Sequence, residues 1–219
     1  MSNLLDNVGQ AVKSAISGVV PEAVRARIRP YRKTDISQEQ WDQDYAQGKW
    51  QHLDNVRQLA HYSVIMGYYL YYRPNSSVLD IGCGHGVLQR RLDAVSYARY
   101  VGVDTSQSAI DQASTESDLK TQFFCADAES YIPSGTFDVL IFNESLYYFL
   151  SPMDGFTRLA RYLSPGGVVI VSMYQKENSR VIWRSLNRIA HPADAVRVIN
   201  RDGGVWDVKV FPIGNIGGR

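Results

Sequence analysis

The run Val78-Leu79-Asp80-Ile81-Gly82-Cys83-Gly84-His85-Gly86 leaves this chain few folds to choose from. Its first half reads as an apolar strand ending beside an acid, and its second half as a glycine turn that opens a helix. Glycine reaches left-handed backbone angles and lets a ligand approach the main chain, and a helix start offers unpaired N–H groups. From Ser77 onward, β-rich runs at Ser77–Ile81, Tyr100–Val103, Gln122–Cys125, Phe137–Phe142 and Val168–Ser172 alternate with helical runs at Val87–Ala94, Ser106–Ser117, Met153–Leu163 and Ser179–Ala190. That alternation predicts a parallel sheet with helices on both faces, and the mostly continuous apolar strands agree with burial on both sides. Pro165-Gly166-Gly167 reads as the stop of a helix and the turn into the next strand. Ala195–Asn200 and Val205–Phe211 flank Arg201-Asp202-Gly203-Gly204, a hairpin that would close the sheet with an antiparallel pair.

With 219 residues, 23 Lys+Arg against 22 Asp+Glu and a net charge of +1, the chain suits one globular domain and supplies no general field for nucleic acid. Cys83 and Cys125 are expected as free thiols, with no disulfide framework and no zinc spacing. No apolar run approaches the roughly 20 residues of a membrane span and the start does not read as a cleavable leader, so the expected location is cytoplasmic. Residues 1–72 show no strand pattern and read as a helical N-terminal segment ahead of a core over 73–219. Within it, Leu4, Val8, Ala11, Val12, Ala15, Ile16 and Val19 form an apolar stripe, followed by Arg25, Arg27, Arg29, Arg32 and Lys33. Residues 1–33 therefore allow peripheral contact with the inner membrane surface, beside the plainer reading of a lid over the site or a dimer contact.

The loop spacing separates two cofactor classes. A dinucleotide fingerprint asks for glycine where Val87 stands, and Asp80 would repel a pyrophosphate while suiting a positively charged ligand. Asp104 follows the second strand, where an acid can accept both hydroxyls of a ribose, and Asp127 follows the third. Singly, Asp104 reads equally as a helix cap and Asp127 as a turn residue. Together with the glycine loop they converge on one crevice at the topological switch point.

Over about residues 77–211 these motifs resemble those of the class I S-adenosylmethionine-dependent methyltransferases. The resemblance implies that Asp80, Gly82, Gly84 and Gly86 hold the methionine part of the donor, that Asp104 binds its ribose, and that Asp127 and Ala128 read its adenine. It also implies Thr105, Asn143 and Trp50 beside the donor, and a doubly wound, seven-stranded, Rossmann-like α/β sheet whose last strand is antiparallel. The fourth motif falls on Phe137–Tyr148, where Asn143-Glu144-Ser145-Leu146 replaces the Asn-Pro-Pro-aromatic run of base-amine methyltransferases. The chain looks closer to small-molecule and sugar methyltransferases, including the nodulation N-methyltransferases and those found with bacterial polysaccharide genes. Trp41-Asp42-x-x-Tyr45-x-x-Gly48-x-Trp50 is similar to the N-terminal lid of small-molecule members.

Transfer to a hydroxyl needs a proton acceptor, whereas a neutral amine needs little beyond alignment. The candidates are Glu144, His61 and Tyr147; the bland readings are a solvated loop acid, an ordinary helix residue beside Tyr62, and aromatic wall. His85 is a poorer choice because it lies in the donor loop, and His52 and His191 read as surface or turn residues. Among Tyr62, Tyr68, Tyr69, Tyr71 and Tyr72, Tyr68 and Tyr72 share one helical face and Tyr62 and Tyr69 another, so one pair is expected to face a pocket and the other the core. No metal is expected. The resulting expectation is methyl transfer to a small-molecule or glycan hydroxyl or amine, with an aromatic natural product as the alternative acceptor and a catalytically idle donor-binding subunit as the alternative role.

Overall fold

The computed structural model describes residues 36–93, 95–115 and 117–216, so the apolar stripe and basic run read at residues 1–33 lie outside the described residues. Helix α1 (Gln38–Ala46) starts at Ser37, whose Oγ accepts from Gln40 N at 3.2 Å. A 3-10 turn (Gln51–Asp54) leads to α2 (Val56–Tyr72), capped by Asn55 through Arg57 N. There follow β1 (Ser77–Ile81), α3 (Val87–Asp93), β2 (Arg99–Asp104), α4 (Gln107–Ser114), β3 (Thr121–Cys125), β4 (Phe137–Asn143), α5 (Pro152–Ala160), β5 (Leu163–Tyr174), α6 (Glu177–Ile189), β6 (Asp194–Ile199) and β7 (Val205–Pro212).

The strands form one seven-stranded sheet in the order β3-β2-β1-β4-β5-β7-β6. β1 to β5 run parallel, and β7 is antiparallel to both β5 and β6. The chain leaves β1 toward β2 on one side and returns with β4 on the other, so a crevice opens at the carboxyl ends of these strands. Val78, Leu79, Ile81, Val139, Ile141 and Ile170 are fully buried in the central strands, as helices on both faces require.

Three elements, α5, β5 and α6, differ in their bounds from the sequence reading. α5 ends at Ala160, and β5 already begins at Leu163, paired with Phe137. Pro165-Gly166-Gly167 is thus an irregularity inside a strand rather than a turn before it. The register shifts between Phe137 and Val139, Gly166 sits at φ +75°, and Arg73 Nε donates to the Gly166 carbonyl at 2.8 Å. α6 begins two residues before Ser179, because the Ser179 hydroxyl accepts from Lys176 N at 2.9 Å and so stabilises an earlier start.

β2 lies between the strands that lead to the two cysteines, and both thiols are free. Strands flanking a common neighbour stand roughly 9–10 Å apart, beyond the Cα separation of about 7 Å that a disulfide tolerates. Two thiols should therefore titrate in the denatured, unreduced protein, and a mass lower by two hydrogens would contradict the strand order.

Candidate active site

A cavity of about 920 Å³ occupies the crevice, floored by the strand ends and walled by α1, the first turn of α2 and the β6–β7 hairpin. The glycine loop is pinned to β2 by Gly82 N and Cys83 N, which both donate to the Val103 carbonyl at 2.7 and 3.1 Å. Gly82 and Gly84 lie at φ +78° and +54°, where other residues are strained. A side chain on Gly82 would also collide with Ser145, and one on Gly84 would meet the Tyr45 hydroxyl at 2.5 Å.

Asp80 is 1% exposed. The Tyr100 hydroxyl donates to its Oδ2 at 2.5 Å while Oδ1 has no partner. Burial raises its pKa to about 7, against the lowering effect of the Tyr100 bond. Asp104 accepts from Gly84 N at 2.9 Å and Ser106 N at 3.0 Å, and burial raises its pKa as well. Its carboxylate thus holds the loop and caps α4, and Asp104 lines the cavity. Thr105, Asp127, Ala128 and Trp50 line the same cavity. Asp127 stands in the loop beyond β3, accepting from Glu129 N, and Arg158 holds the Ala128 and Tyr131 carbonyls at 2.5 and 2.8 Å.

α1 lies over this side of the cavity and is tied down by Asp42 and Trp41 at its middle. Asp42 accepts from Ser106 Oγ at 2.7 Å and Ser108 N at 3.1 Å, completing the cap of α4 from a different helix. Trp41 packs edge-on against Tyr148 at 5.0 Å and lies 5.4 Å from Trp50. His85 is engaged by Asp54, whose other oxygen takes Arg90 at 2.7 Å.

The opposite wall begins where β4 ends. The Asn143 amide faces the Tyr62 hydroxyl, and its Oδ1 is buried without a partner. Glu144 has φ +57°, a strained value for a residue with a Cβ, held by its N–H donating to the Ser172 carbonyl at 2.9 Å. The Tyr147 hydroxyl donates to Glu144 Oε2 at 2.7 Å, leaving Oε1 buried and unpartnered. Burial raises the Glu144 pKa to about 7, partly offset by the Tyr147 hydroxyl, by Lys176 and by the Tyr174 backbone N–H. Lys176 Nζ rests 3.5 Å from the centre of the Tyr147 ring, and burial lowers its pKa.

Of the sequence candidates, Asp80, Gly82, Gly84, Asp104, Thr105, Asp127, Ala128, Asn143, Trp50, Glu144 and Tyr147 all line this cavity. Gly86 begins the turn into α3 at φ +80°, with Ala113 against it. His61 is a departure: it is 1% exposed, does not line the cavity, and stacks on Trp206 at 4.8 Å with neither ring nitrogen partnered. Burial lowers its pKa to about 3. An imidazole so depressed is protonated first in the unfolded chain, so between its ordinary 6.5 and about 3 native stability falls as pH falls. Replacing His61 with Phe keeps the stack and removes two buried, unsatisfied nitrogens, so it should raise stability by about 1 kcal/mol and flatten that acid limb. Chemical denaturation at pH 7 and pH 5 measures both.

The tyrosines of α2 do not divide by the pairs read from the sequence, because Tyr69, on the face of Tyr62, stands seven residues and so about 10 Å further along the helix. Tyr62 lines the cavity, whereas Tyr69 is fully buried, donating to the Ser96 carbonyl and accepting from Ser76 N. His52, read as a surface residue, is exposed and also lines the cavity, with Nδ1 2.8 Å from the Lys49 carbonyl. Tyr174, Lys176 and Trp206 were not singled out by the sequence, although all three line the site. The available signal was position: Tyr174 and Lys176 follow the fifth strand, where the topology aims residues at the crevice.

An acid-tipped, seven-stranded sheet of this order around a glycine loop defines the Rossmann-like methyltransferase fold. The methyltransferase-domain family matches residues 26–203. Relatives include a ubiquinone biosynthesis O-methyltransferase of Bradyrhizobium diazoefficiens, 31% identical over 62% of this chain and 53% of its own length. A trans-aconitate 2-methyltransferase of Acidovorax is 30% identical over 53% of this chain and 49% of its own. Among solved structures, the N-methyltransferase NodS of Bradyrhizobium japonicum, in complex with S-adenosyl-L-homocysteine, superposes with a TM-score of 0.69 at 18% identity, covering 81% of this chain and 98% of that one. Magnesium protoporphyrin IX methyltransferase of Synechocystis gives 0.62 at 16% identity, covering 82% and 99%. This chain belongs to the class I S-adenosylmethionine-dependent methyltransferases. It spans about half the length of the curated relatives it matches.

Proposed function

We propose that this protein transfers a methyl group from S-adenosylmethionine to a hydroxyl of a small-molecule acceptor, with Glu144 accepting the proton. The observation that carries the reading is the unpartnered Glu144 Oε1, buried in the same cavity as the unpartnered Asp80 Oδ1. A buried acceptor atom without a hydrogen-bond partner costs free energy unless a ligand completes it. Two acids raised by burial at Asp80 and Asp104, with glycine backbone between them, fit a donor that carries an ammonium group, a sulfonium and a ribose. In this reading Asp80 and the Gly82–Gly86 loop take the methionine end, Asp104 the ribose, and Asp127 with Ala128 the adenine.

When bound, the donor supplies a methyl group on a sulfonium, ready for in-line displacement. The remaining work falls to the protein. The walls of α1 and the hairpin exclude water and align the acceptor, a contribution that grows steeply with precise positioning. Glu144, with a pKa of about 7, accepts a hydroxyl proton on Oε1 while Tyr147 orients the carboxyl through Oε2. The names of the ubiquinone biosynthesis and malonyl-[acyl-carrier protein] O-methyltransferases favour oxygen as the accepting atom, while the aromatic wall also suits a sugar acceptor. Incubating the protein with labelled donor and separate pools of phenolic, carboxylic, sugar and amine acceptors tests the reading. Label on hydroxyl compounds supports it, label on amines alone removes the base, and no transfer from a protein that binds donor points to an idle subunit.

Residues 1–33 are proposed to govern location rather than chemistry. Deleting residues 1–20 removes the apolar stripe and none of the candidate donor contacts. Donor affinity should survive while binding to anionic vesicles falls; loss of donor binding would make the segment part of the pocket.

A further inference from the structure

Four cationic or potentially cationic side chains line the cavity in the described residues: His52, Arg57, His85 and Lys176. Three have oxygen partners. Arg57 pairs with Asp202 at 2.9 Å, His85 with Asp54 at 2.8 Å, and His52 with the Lys49 carbonyl. Lys176 is different: its Nζ lies over the ring of Tyr147 at 3.5 Å and of Tyr148 at 5.5 Å, with no carboxylate within ion-pair distance. Glu144 attracts it without lying within ion-pair distance, and the Tyr147 hydroxyl donates to that carboxylate instead.

The position is unfavourable for a lysine that served only structure. Lys176 is the N-cap residue of α6, where the helix dipole opposes positive charge and Ser, Thr, Asp or Asn would cap better. Its ammonium is also half-buried, losing hydration without gaining the oxygen acceptors that three N–H donors demand. Both costs are removed if an anionic group binds there.

We propose that Lys176 is a specificity-determining residue that binds an anionic group, a carboxylate or phosphate, on the methyl acceptor. The proposal rests on the methyltransferase reading above and narrows it to acidic acceptors. Lys176 stands over the face of Tyr147 while Glu144 takes that residue's hydroxyl edge, so one aromatic ring separates the anion subsite from the proton acceptor. An acceptor that carries its acid a ring's breadth from the hydroxyl would satisfy both ends. The cavity's other carboxylates make this selection sharper, because a misplaced anion meets Asp80, Asp104 or Asp127 and is repelled.

The experiment is calorimetric titration of the S-adenosylhomocysteine-loaded protein with two matched pairs: 4-hydroxybenzoate against 4-hydroxybenzamide, and glucuronate against glucose. The proposal expects the carboxylate of at least one pair to bind about 10- to 100-fold more tightly than its neutral partner, with the advantage shrinking as salt rises. Lys176→Met should erase the difference, and Lys176→Arg should retain much of it. Binding of neither carboxylate, equal binding within both pairs, or a preference that persists in Lys176→Met overturns the proposal. If Lys176 merely balances Glu144, the substitution shifts both members of a pair equally, which also overturns it. Failure of S-adenosylhomocysteine itself to bind would instead overturn the methyltransferase reading, and retained S-adenosylhomocysteine affinity in Lys176→Met shows that the variant has folded.

Discussion

Glu144→Gln should slow single-turnover methyl transfer by 10²–10⁴-fold while leaving donor affinity nearly unchanged. The substitution preserves shape, and Tyr147 can still donate to the side-chain oxygen, but the proton acceptor is gone. The wild-type rate should also fall at acidic pH as Glu144, with a pKa of about 7, becomes protonated, so activity rises through neutrality. In Glu144→Gln that limb should vanish. Rapid-quench measurement with a hydroxyl acceptor found by the labelled-donor screen reads both. A near-wild-type rate in the variant would leave alignment as the site's chief contribution, and the raised carboxyl would then need another purpose.

Asp104→Ala should weaken binding of S-adenosylhomocysteine by about 1–3 kcal/mol, roughly 5- to 150-fold. Two losses combine in that figure. One is the ionised acceptor proposed for the ribose hydroxyls; the other is the carboxylate that holds Gly84 N and Ser106 N and so keeps the glycine loop in its left-handed course. Asp104→Asn retains one side-chain oxygen as an acceptor, so it should fall between Ala and wild type. Equal affinities across the three proteins, each shown to be folded, would remove Asp104 from the donor site.

Much of this architecture was legible in the residues because local and global signals agree. Asp80 followed by three glycines, and Asp104 and Asp127 after the next two strands, mark one crevice by spacing alone. The strand order then delivers them to a single cavity. What escaped the sequence depends on contacts between distant segments. His61 and His52 are both histidines in helical surroundings, yet His61 is enclosed by Trp206, which arrives from β7, while His52 turns toward the cavity. No periodicity within residues 36–72 encodes where the hairpin will pack. Pro165-Gly166-Gly167 misled for a related reason: Arg73, far away in sequence, accommodates the Gly166 kink within β5, so a turn signal became a bulge. Lys176 was invisible because its significance lies in a missing partner, which only the assembled cavity exposes.

The central claim is that the crevice of acids and glycines takes a sulfonium donor rather than a dinucleotide. Calorimetric titration of the wild-type protein with S-adenosylhomocysteine and, separately, with NADH tests it most directly. The account predicts one-site binding of S-adenosylhomocysteine and none of NADH, since Asp80 would face a pyrophosphate with a like charge and Val87 occupies the place of the third fingerprint glycine. Binding of NADH in preference to S-adenosylhomocysteine, or no binding of S-adenosylhomocysteine, would contradict it.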